Sequence, residues 1–241
     1  MRLIGLGMLL PLVACSGLNA ETGEAAEARG TGPSRDYDVS GFSRVELRSV
    51  DDVDVRVGQA FSVRAQGPAE TLDKLEIRRD GETLRVGRKR RSGWNWSEKP
   101  AGVTVFVTMP RIAGASISGT GDLAVDRVEG GRFAGSIAGT GNLLIGRMRV
   151  EEADLSIMGT GDLVGAGTAR RLRMSITGTG DIDARQVTAS EAQVSIAGSG
   201  DARAVVNGPA EISLMGSGDV ELGGRPRCTT SKMGSGEVRC G

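Results

Sequence analysis

A seven-residue phrase that recurs seven times in the second half of the chain constrains the fold more than any other feature. Its first copy reads Ser-Ile-Ser-Gly-Thr-Gly-Asp at residues 116–122, and its last reads Ser-Lys-Met-Gly-Ser-Gly-Glu at residues 231–237. Successive copies are 18 to 20 residues apart, as the first glycine of each shows: Gly119, Gly139, Gly159, Gly178, Gly198, Gly216 and Gly234. A fixed period of about 20 residues predicts a solenoid, in which each unit buries its apolar side only by stacking on its neighbours.

Apolar and polar residues alternate on both sides of each of these glycines. Before Gly159, for example, single polar residues separate Ala153, Leu155 and Ile157. Alternation with a period of two is typical of a strand that turns one face inward. Each unit is therefore expected to form about two short strands joined at a Gly-Thr-Gly or Gly-Ser-Gly corner, where glycine can adopt positive φ. Stacked units of this kind form a parallel β-helix, and its interior should be lined by Ile117, Ile137, Ile157, Ile176, Ile196 and Leu214.

Residues 41–110 have strand patterns but lack the phrase. Val45 and Leu47 alternate with polar residues, and Asp80-Gly81 between two apolar stretches predicts a β-hairpin with a type I′ turn. We expect this half to cap a seven-repeat solenoid at residues 111–241, because an exposed terminal coil would act as a template for aggregation. A separate small β-domain is the alternative.

The repeated phrase Ser-Ile-x-Gly-Thr/Ser-Gly-Asp resembles that of the head-GIN domain family, also called the putative auto-transporter adhesin head domain. The resemblance covers roughly Phe42 to Gly241. It implies an all-β protein, a right-handed parallel β-helix with about 18–20 residues per coil, carried by a bacterial envelope protein. It implies adhesion or ligand binding as the role and brings no catalytic residues, since the phrase is specific for a fold and not for a chemistry.

The N-terminus has the features of an exported lipoprotein. The apolar run at residues 3–13 is too short to span a bilayer and has the length of a signal-peptide core. It ends in Leu-Val-Ala-Cys, which resembles the bacterial lipobox, so residues 1–14 are expected to be a signal peptide and Cys15 to be lipidated. An ordinary signal peptide with a chance cysteine is the alternative.

The residues after the cysteine indicate where the protein is anchored. Ser16, by analogy with sorting in Gram-negative bacteria, favours the outer membrane over the inner one. Residues 15–40 are rich in small and polar residues, so we expect the lipidated cysteine to be followed by a flexible tether. The membrane, reached through the lipid, is then one partner of the protein.

Composition excludes several classes of function. Lysine and arginine number 30, and so do aspartate and glutamate, so net charge does not attract the chain to nucleic acid. The chain has no histidine, which removes the usual general base near neutral pH and the commonest metal ligand. We therefore expect neither an enzyme nor a cofactor.

A cluster of cations and aromatic residues is the best candidate binding site. Both tryptophans of the chain stand beside four consecutive cations, where aromatic faces could stack on sugar rings and arginines could bind phosphate or carboxylate. The alternative is a solvated hairpin end whose tryptophans cover the edge of the β-helix. The residues concerned are Arg88, Lys89, Arg90, Arg91, Trp94 and Trp96.

The acidic residue that ends each phrase forms a second candidate site. Equivalent corners carry Asp122, Asn142, Asp162, Asp181, Asp201, Asp219 and Glu237. Short acidic side chains at turns commonly accept backbone N–H bonds, and this is the interpretation that we favour. A calcium ladder at Asp162, Asp181, Asp201 and Asp219 is a weaker alternative, because the calcium-binding nonapeptide of β-rolls is absent.

The two remaining cysteines match the register of the repeat. Cys228 stands six residues before Gly234 and Cys240 six residues after it, both in columns predicted to point inward. A Cys228–Cys240 disulfide would hold the last coil closed in an oxidising compartment. The alternative is a pair of buried thiols.

These patterns together predict a non-catalytic lipoprotein of the cell envelope with an adhesin-like or structural head. Its partners would be an envelope glycan, lipopolysaccharide or a protein. A calcium-assisted β-helix enzyme acting on polysaccharides is one rival, but the regular repeats leave little chain for the loops of a catalytic cleft. An envelope-stress sensor that acts through a protein partner is another.

Overall fold

The computed structural model describes residues 23–89 and 102–241. It is nearly all β, with 66% strand and one short helix in this part of the chain, and its stacked parallel coils form a β-solenoid of about 6 turns. The predicted β-helix with a capping N-terminal half is confirmed. Within the described ranges, no helix is long and apolar enough to cross a membrane.

The described part of the N-terminal half, residues 23–89 and 102–110, contributes nine strands and the helix. In chain order they are β1 (Glu24–Ala25), β2 (Ala28–Arg29), β3 (Ser34–Tyr37), β4 (Arg44–Leu47), β5 (Asp52–Val57), β6 (Ser62–Gln66), α1 (Ala69–Leu72), β7 (Leu75–Asp80), β8 (Thr83–Arg88) and β9 (Thr104–Met109). The hairpin predicted at Asp80-Gly81 is formed by β7 and β8, with Gly81 at a φ of 56°.

The repeats supply the remaining strands. They are β10 (Gly114–Ile117), β11 (Leu123–Val125), β12 (Val128–Ile137), β13 (Leu143–Gly159), β14 (Leu163–Gly178), β15 (Ile182–Gly198), β16 (Ala202–Val206), β17 (Pro209–Gly216), β18 (Val220–Gly224), β19 (Arg227–Gly234) and β20 (Val238–Cys240). Inward residues of β13 lie on three sides of the coil, at residues 143–145, 148–150 and 153–157. One corner carries the repeated phrase, and a register shift between Ile145 and Met148 marks the next.

Equivalent residues of successive repeats pair directly across the parallel strands. Ile137 faces Ile157, which faces Ile176, and each is at most 2% exposed. These large aliphatic side chains therefore form a continuous apolar column along the axis, as predicted. Because each coil buries its inward face only against its neighbours, the column is the main source of stability in the rod.

The second glycine of the phrase is required by the closeness of the coils. At Gly161 an added Cβ would lie 2.0 Å from the carbonyl oxygen of Gly141 in the preceding coil. No positive φ is involved there, so the requirement is purely steric. The expectation of positive φ holds instead for the first glycine in some repeats, such as Gly159 with a φ of 154°.

Two coils of the N-terminal half extend the solenoid in an order that differs from the sequence. Strand β4 pairs in parallel with both β8 and β10, and β5 pairs in parallel with both β9 and β11. The coil at residues 83–109 is therefore the outermost, and the coil at residues 44–57 lies between it and the first repeat. The N-terminal half thus both continues the β-helix and caps it.

Antiparallel strands close the N-terminal end. Strand β7 pairs with β8, and β6 pairs with β9 on the neighbouring side. Strands β1 and β3 extend this layer by pairing with β7 and β6. The edges of the outermost coil are thereby paired, which prevents another chain from adding to them.

The expected tether at residues 15–40 is corrected by this layer from residue 23 onward. Tyr37 at the end of β3 is only 7% exposed, and Arg35 forms an ion pair with Asp73 at 3.1 Å. The segment is polar in composition, but it adds main-chain hydrogen bonds to an available strand edge. The signal peptide, Cys15 and the rest of the proposed tether lie outside the described residues.

The C-terminal coil ends the apolar column. Lys232 occupies the position of Leu214 in the coil before it, and its Nζ donates a hydrogen bond to the carbonyl oxygen of Gly236 at 2.7 Å. Cys228 and Cys240 form the predicted disulfide across this coil. A polar inward residue and a covalent link therefore replace apolar packing at the open end.

Candidate functional site

One corner of the solenoid is much longer than its equivalents. Eighteen residues separate Val86 from Val105, whereas five separate the equivalent Leu47 and Val53 in the neighbouring coil. We call residues 87–104 the insertion corner. The flanking residues Val86 and Val105 pair with Leu47 and Val53, so the corner begins and ends at the same edge of the rod as the Gly-Thr-Gly corners.

A buried carboxylate holds both ends of the insertion corner. Asp51 is fully buried, and its carboxylate accepts hydrogen bonds from Arg88 Nε at 2.9 Å and from the backbone N–H of Val103 at 3.2 Å. Hydrogen bonding to Asp51 raises the pKa of the Arg88 guanidinium. A single side chain from the neighbouring coil thus anchors both ends of the insertion corner.

Two residues of the predicted binding cluster therefore support the base of the corner. Arg88 is paired with Asp51, and Lys89 Nζ donates to the carbonyl oxygen of Asp73 at 2.9 Å. The binding role expected of Arg88 and Lys89 stays a prediction. Arg90, Arg91, Trp94 and Trp96 lie outside the described residues. Sequence reasoning missed Asp51 because its partner is 37 positions away.

The acidic column is a ladder of side-chain to backbone hydrogen bonds. Asp162 Oδ1 accepts the backbone N–H of Asp181 at 3.0 Å, and Asp181 Oδ1 accepts that of Asp201 at 2.8 Å. The same bond continues to Asp219 and then Glu237 in the last two coils. The predicted turn role of these residues is confirmed. Within residues 23–89 and 102–241, no group of three or more acidic or cysteine side chains is arranged to hold a metal ion.

Alternating charges occupy one outward column on the third side. Arg132, Glu152, Arg171 and Glu191 stack in successive coils, with Arg171 bonded to Glu152 at 2.8 Å and to Glu191 at 2.7 Å. Each of these exposed pairs contributes little to stability by itself. Together they favour the observed register, because slipping by one coil would place like charges together.

A groove of about 570 Å³ crosses several coils between the second and third sides. Its floor is formed where Val150, Ala169 and Ala189 turn their side chains towards the interior. Exposed polar side chains form its two walls. This groove could not be predicted from the sequence, because no motif marks it and its shape depends on the bend of each coil.

The geometry defines a class of protein. An apolar interior is capped at its N-terminal end, while regular polar columns face solvent. Such a rod presents extended binding surfaces on a rigid scaffold. The chain belongs to the family described as putative auto-transporter adhesin, head GIN domain, which matches residues 41–226.

Solved structures support the same fold. The chain is similar to a putative adhesin from Bacteroides fragilis, with 21% identity, a TM-score of 0.76 and coverage of 86% of this chain and 95% of that chain. It is also similar to a putative lipid binding protein from Parabacteroides distasonis, with 20% identity, a TM-score of 0.71 and coverage of 89% and 98%. A putative adhesin from Parabacteroides merdae gives 17% identity, a TM-score of 0.69 and coverage of 87% and 96%.

No curated protein matches the chain. At these identities the solved structures define the fold alone. The family model supports an adhesin-like module.

Proposed function

We propose that the chain is a lipid-anchored, non-catalytic binding module of the cell envelope, held at the outer membrane of a Gram-negative bacterium. The observation that carries the proposal is membership of the adhesin head family over residues 41–226. The packed apolar interior supports it, since it leaves the outer surface of the rod for contact with a partner.

The lipid anchor rests on the Leu-Val-Ala-Cys sequence that ends at Cys15. Expression of the full chain in a Gram-negative host with a labelled fatty acid tests it directly. The wild type should incorporate label and sediment with outer membranes, whereas Cys15→Ser should lose the label and no longer sediment with outer membranes. Label in both proteins would contradict anchoring at this cysteine.

The insertion corner is the proposed contact with an envelope glycan or lipopolysaccharide. Its sequence contains both tryptophans of the chain and the cations Arg90 and Arg91. Flat aromatic and guanidinium groups of this kind bind sugar rings and anionic substituents. The hydrogen bonds that Asp51 accepts from both ends of this corner support the proposal, because a loop with fixed ends loses less conformational freedom when it binds a ligand.

A glycan and lipopolysaccharide array compares wild type with the Trp94→Ala/Trp96→Ala double variant. Binding that falls at least about tenfold in the variant supports contact through this corner, because stacking on two aromatic rings is lost. Equal binding by both proteins would contradict it.

Incubation with uronate polymers and calcium should give no unsaturated products, and their appearance would favour an enzyme. A pull-down from native envelope that yields one protein and no glycan would favour a sensor.

A further inference from the structure

The groove between the second and third sides has two walls that repeat with each coil. One wall is formed by outward residues that pair across three coils, Arg149 with Thr168 and Thr168 with Thr188. Ser190 and Asn207 belong to the opposite wall. Hydroxyl and amide groups thus line a path parallel to the axis, in steps of about 4.8 Å from coil to coil.

The floor and the ends of the groove leave room for a chain to lie along it. Ala169 and Ala189 are at most 5% exposed, so the floor is backbone above small buried side chains. At the N-terminal end, Gly130 lines the groove, and an added Cβ there would meet nothing within 4 Å. There is therefore free space beside Gly130, where a polymer can continue along the groove.

The two arginines that line the groove differ in their ion pairs. Arg170 is fixed, since it bonds Glu151 and Glu191 at 3.1 Å each. Arg149 is exposed and forms no ion pair with any residue in 23–89 and 102–241, including Glu129, its register partner in β12. Its guanidinium is therefore available to a carboxylate or a phosphate, which it can bind through two parallel hydrogen bonds.

We propose that this groove binds a linear acidic glycan, with its sugar units along the solenoid axis and an acidic substituent at Arg149. A pyranose unit in an extended chain is about as long as the spacing between coils, so each coil can offer hydrogen bonds to one sugar. Donors and acceptors on both walls match the alternating hydroxyls of such a polymer. No aromatic side chain lines the groove among the described residues, so affinity comes from many weak polar contacts.

This inference deepens the proposed binding function but uses a different surface from the insertion corner. Calorimetry on the full-length chain in detergent tests it with three probes: oligogalacturonates, phosphorylated mannan oligomers and neutral cello-oligosaccharides. Binding of either acidic series should strengthen with length up to about four or five sugars and then level off, because the groove spans that number of coils. Neutral oligomers should bind at least about tenfold more weakly, since they make no charge-assisted bond to Arg149.

Substitutions in the groove locate the binding. Ser190→Trp fills the groove from an exposed position, and Arg149→Ala removes the free cation; each should weaken acidic-glycan binding about tenfold or more. Arg149→Lys should recover part of the loss. The matched control is Arg111→Ala, which removes an exposed arginine elsewhere on the rod and should bind as wild type does.

Wild-type binding by Ser190→Trp and Arg149→Ala, or equal binding of acidic and neutral oligomers, would overturn the proposal. So would the absence of binding by all three probes. In that last case, continued loss of envelope binding in Trp94→Ala/Trp96→Ala would leave the proposed function intact. If only the tryptophan variant loses oligomer binding, these sugars bind at the insertion corner, and the proposal that they bind in the groove is wrong.

Discussion

The carboxylate of Asp51 and the guanidinium of Arg88 form a buried ion pair that joins the two outermost coils. The Asp51 side chain is 0% exposed and that of Arg88 is 20% exposed. Asp51 lies in a corner that lacks the Gly-Thr-Gly sequence, and its carbonyl oxygen lies beneath Gly121 of the first repeat. An acidic side chain turned inward at this one corner therefore fixes the coil beside it.

Removing either partner should destabilise the fold, and Arg88→Met more than Asp51→Ala. Loss of one partner from a buried pair costs about 3–5 kcal/mol, and the lower end applies to Asp51→Ala because Arg88 already reaches solvent. Arg88→Met leaves a buried carboxylate with the N–H of Val103 as its remaining donor. Chemical denaturation of the variants measures both effects.

The double variant Asp51→Ala/Arg88→Met is the control for this pair. It should be more stable than Arg88→Met alone, because no buried charge is left without its partner. Additive losses in the double variant would show that the two side chains act independently.

Gly161→Ala should lower the free energy of unfolding by at least about 3 kcal/mol, because the added methyl collides with the next coil. The contact in question is the 2.0 Å approach to the carbonyl oxygen of Gly141. Gly131→Ala is the matched control, since its Cβ would meet nothing within 4 Å. Thermal and urea unfolding should show the control within about 0.5 kcal/mol of wild type. If both variants lose a similar free energy of unfolding, the effect of Gly161→Ala comes from backbone entropy and not from the close spacing of the coils.

Stability of the N-terminal layer should fall at alkaline pH through Tyr37. Burial raises its pKa above 10.0, Arg35 opposes this shift and Asp73 adds to it. The folded pKa is thus higher than the unfolded one, so the stabilisation is fully present below pH of about 10 and is lost as pH rises through the folded value. Tyr37→Phe should abolish this dependence.

Tyr37 is the only tyrosine of the chain, so the absorbance of tyrosinate reports its titration without interference from another tyrosine. Unfolding measured at several alkaline pH values gives the matching stability curve. Titration at the ordinary value would indicate that β3 is not packed against β6 in solution.

Lys232→Leu should make the protein associate end to end. Lysine at this position places a charge at the end of the apolar column, and a leucine there would extend the column to an unprotected coil. Sedimentation at increasing concentration should show dimers that are absent in wild type. Thr229→Leu, which adds a leucine at an exposed position in the same strand, should stay monomeric. Association of both variants would indicate nonspecific hydrophobic association and not pairing at the exposed edge of the last coil.

The repeats could be predicted in detail because each copy restates the same information. The inward position of Ile157, the corner at Gly159 and the hydrogen-bonding role of Asp162 all follow from position within the phrase. The Cys228–Cys240 bridge follows in the same way, since both cysteines fall in inward columns of one coil.

The N-terminal half could not be predicted to the same extent, because its partners are distant in sequence. Leu47 and Val53 are six positions apart, as are Ile117 and Leu123. This shared spacing across a corner is the sequence signal that residues 44–57 form another coil. Nothing local shows that β8 would lie outside β4. The pairing of β3 with β6 likewise depends on an edge that becomes available only in the folded protein.

The inverted order of the first coils limits how such heads can change in length. Strand β4 lies between β8 and β10, so residues 44–125 form one interlocked block from which no coil can be removed alone. Beyond residue 128 every coil contacts only the one before and the one after it. Gain or loss of whole coils during evolution is therefore tolerated downstream of this block, where reach can be adjusted without rebuilding the base of the rod.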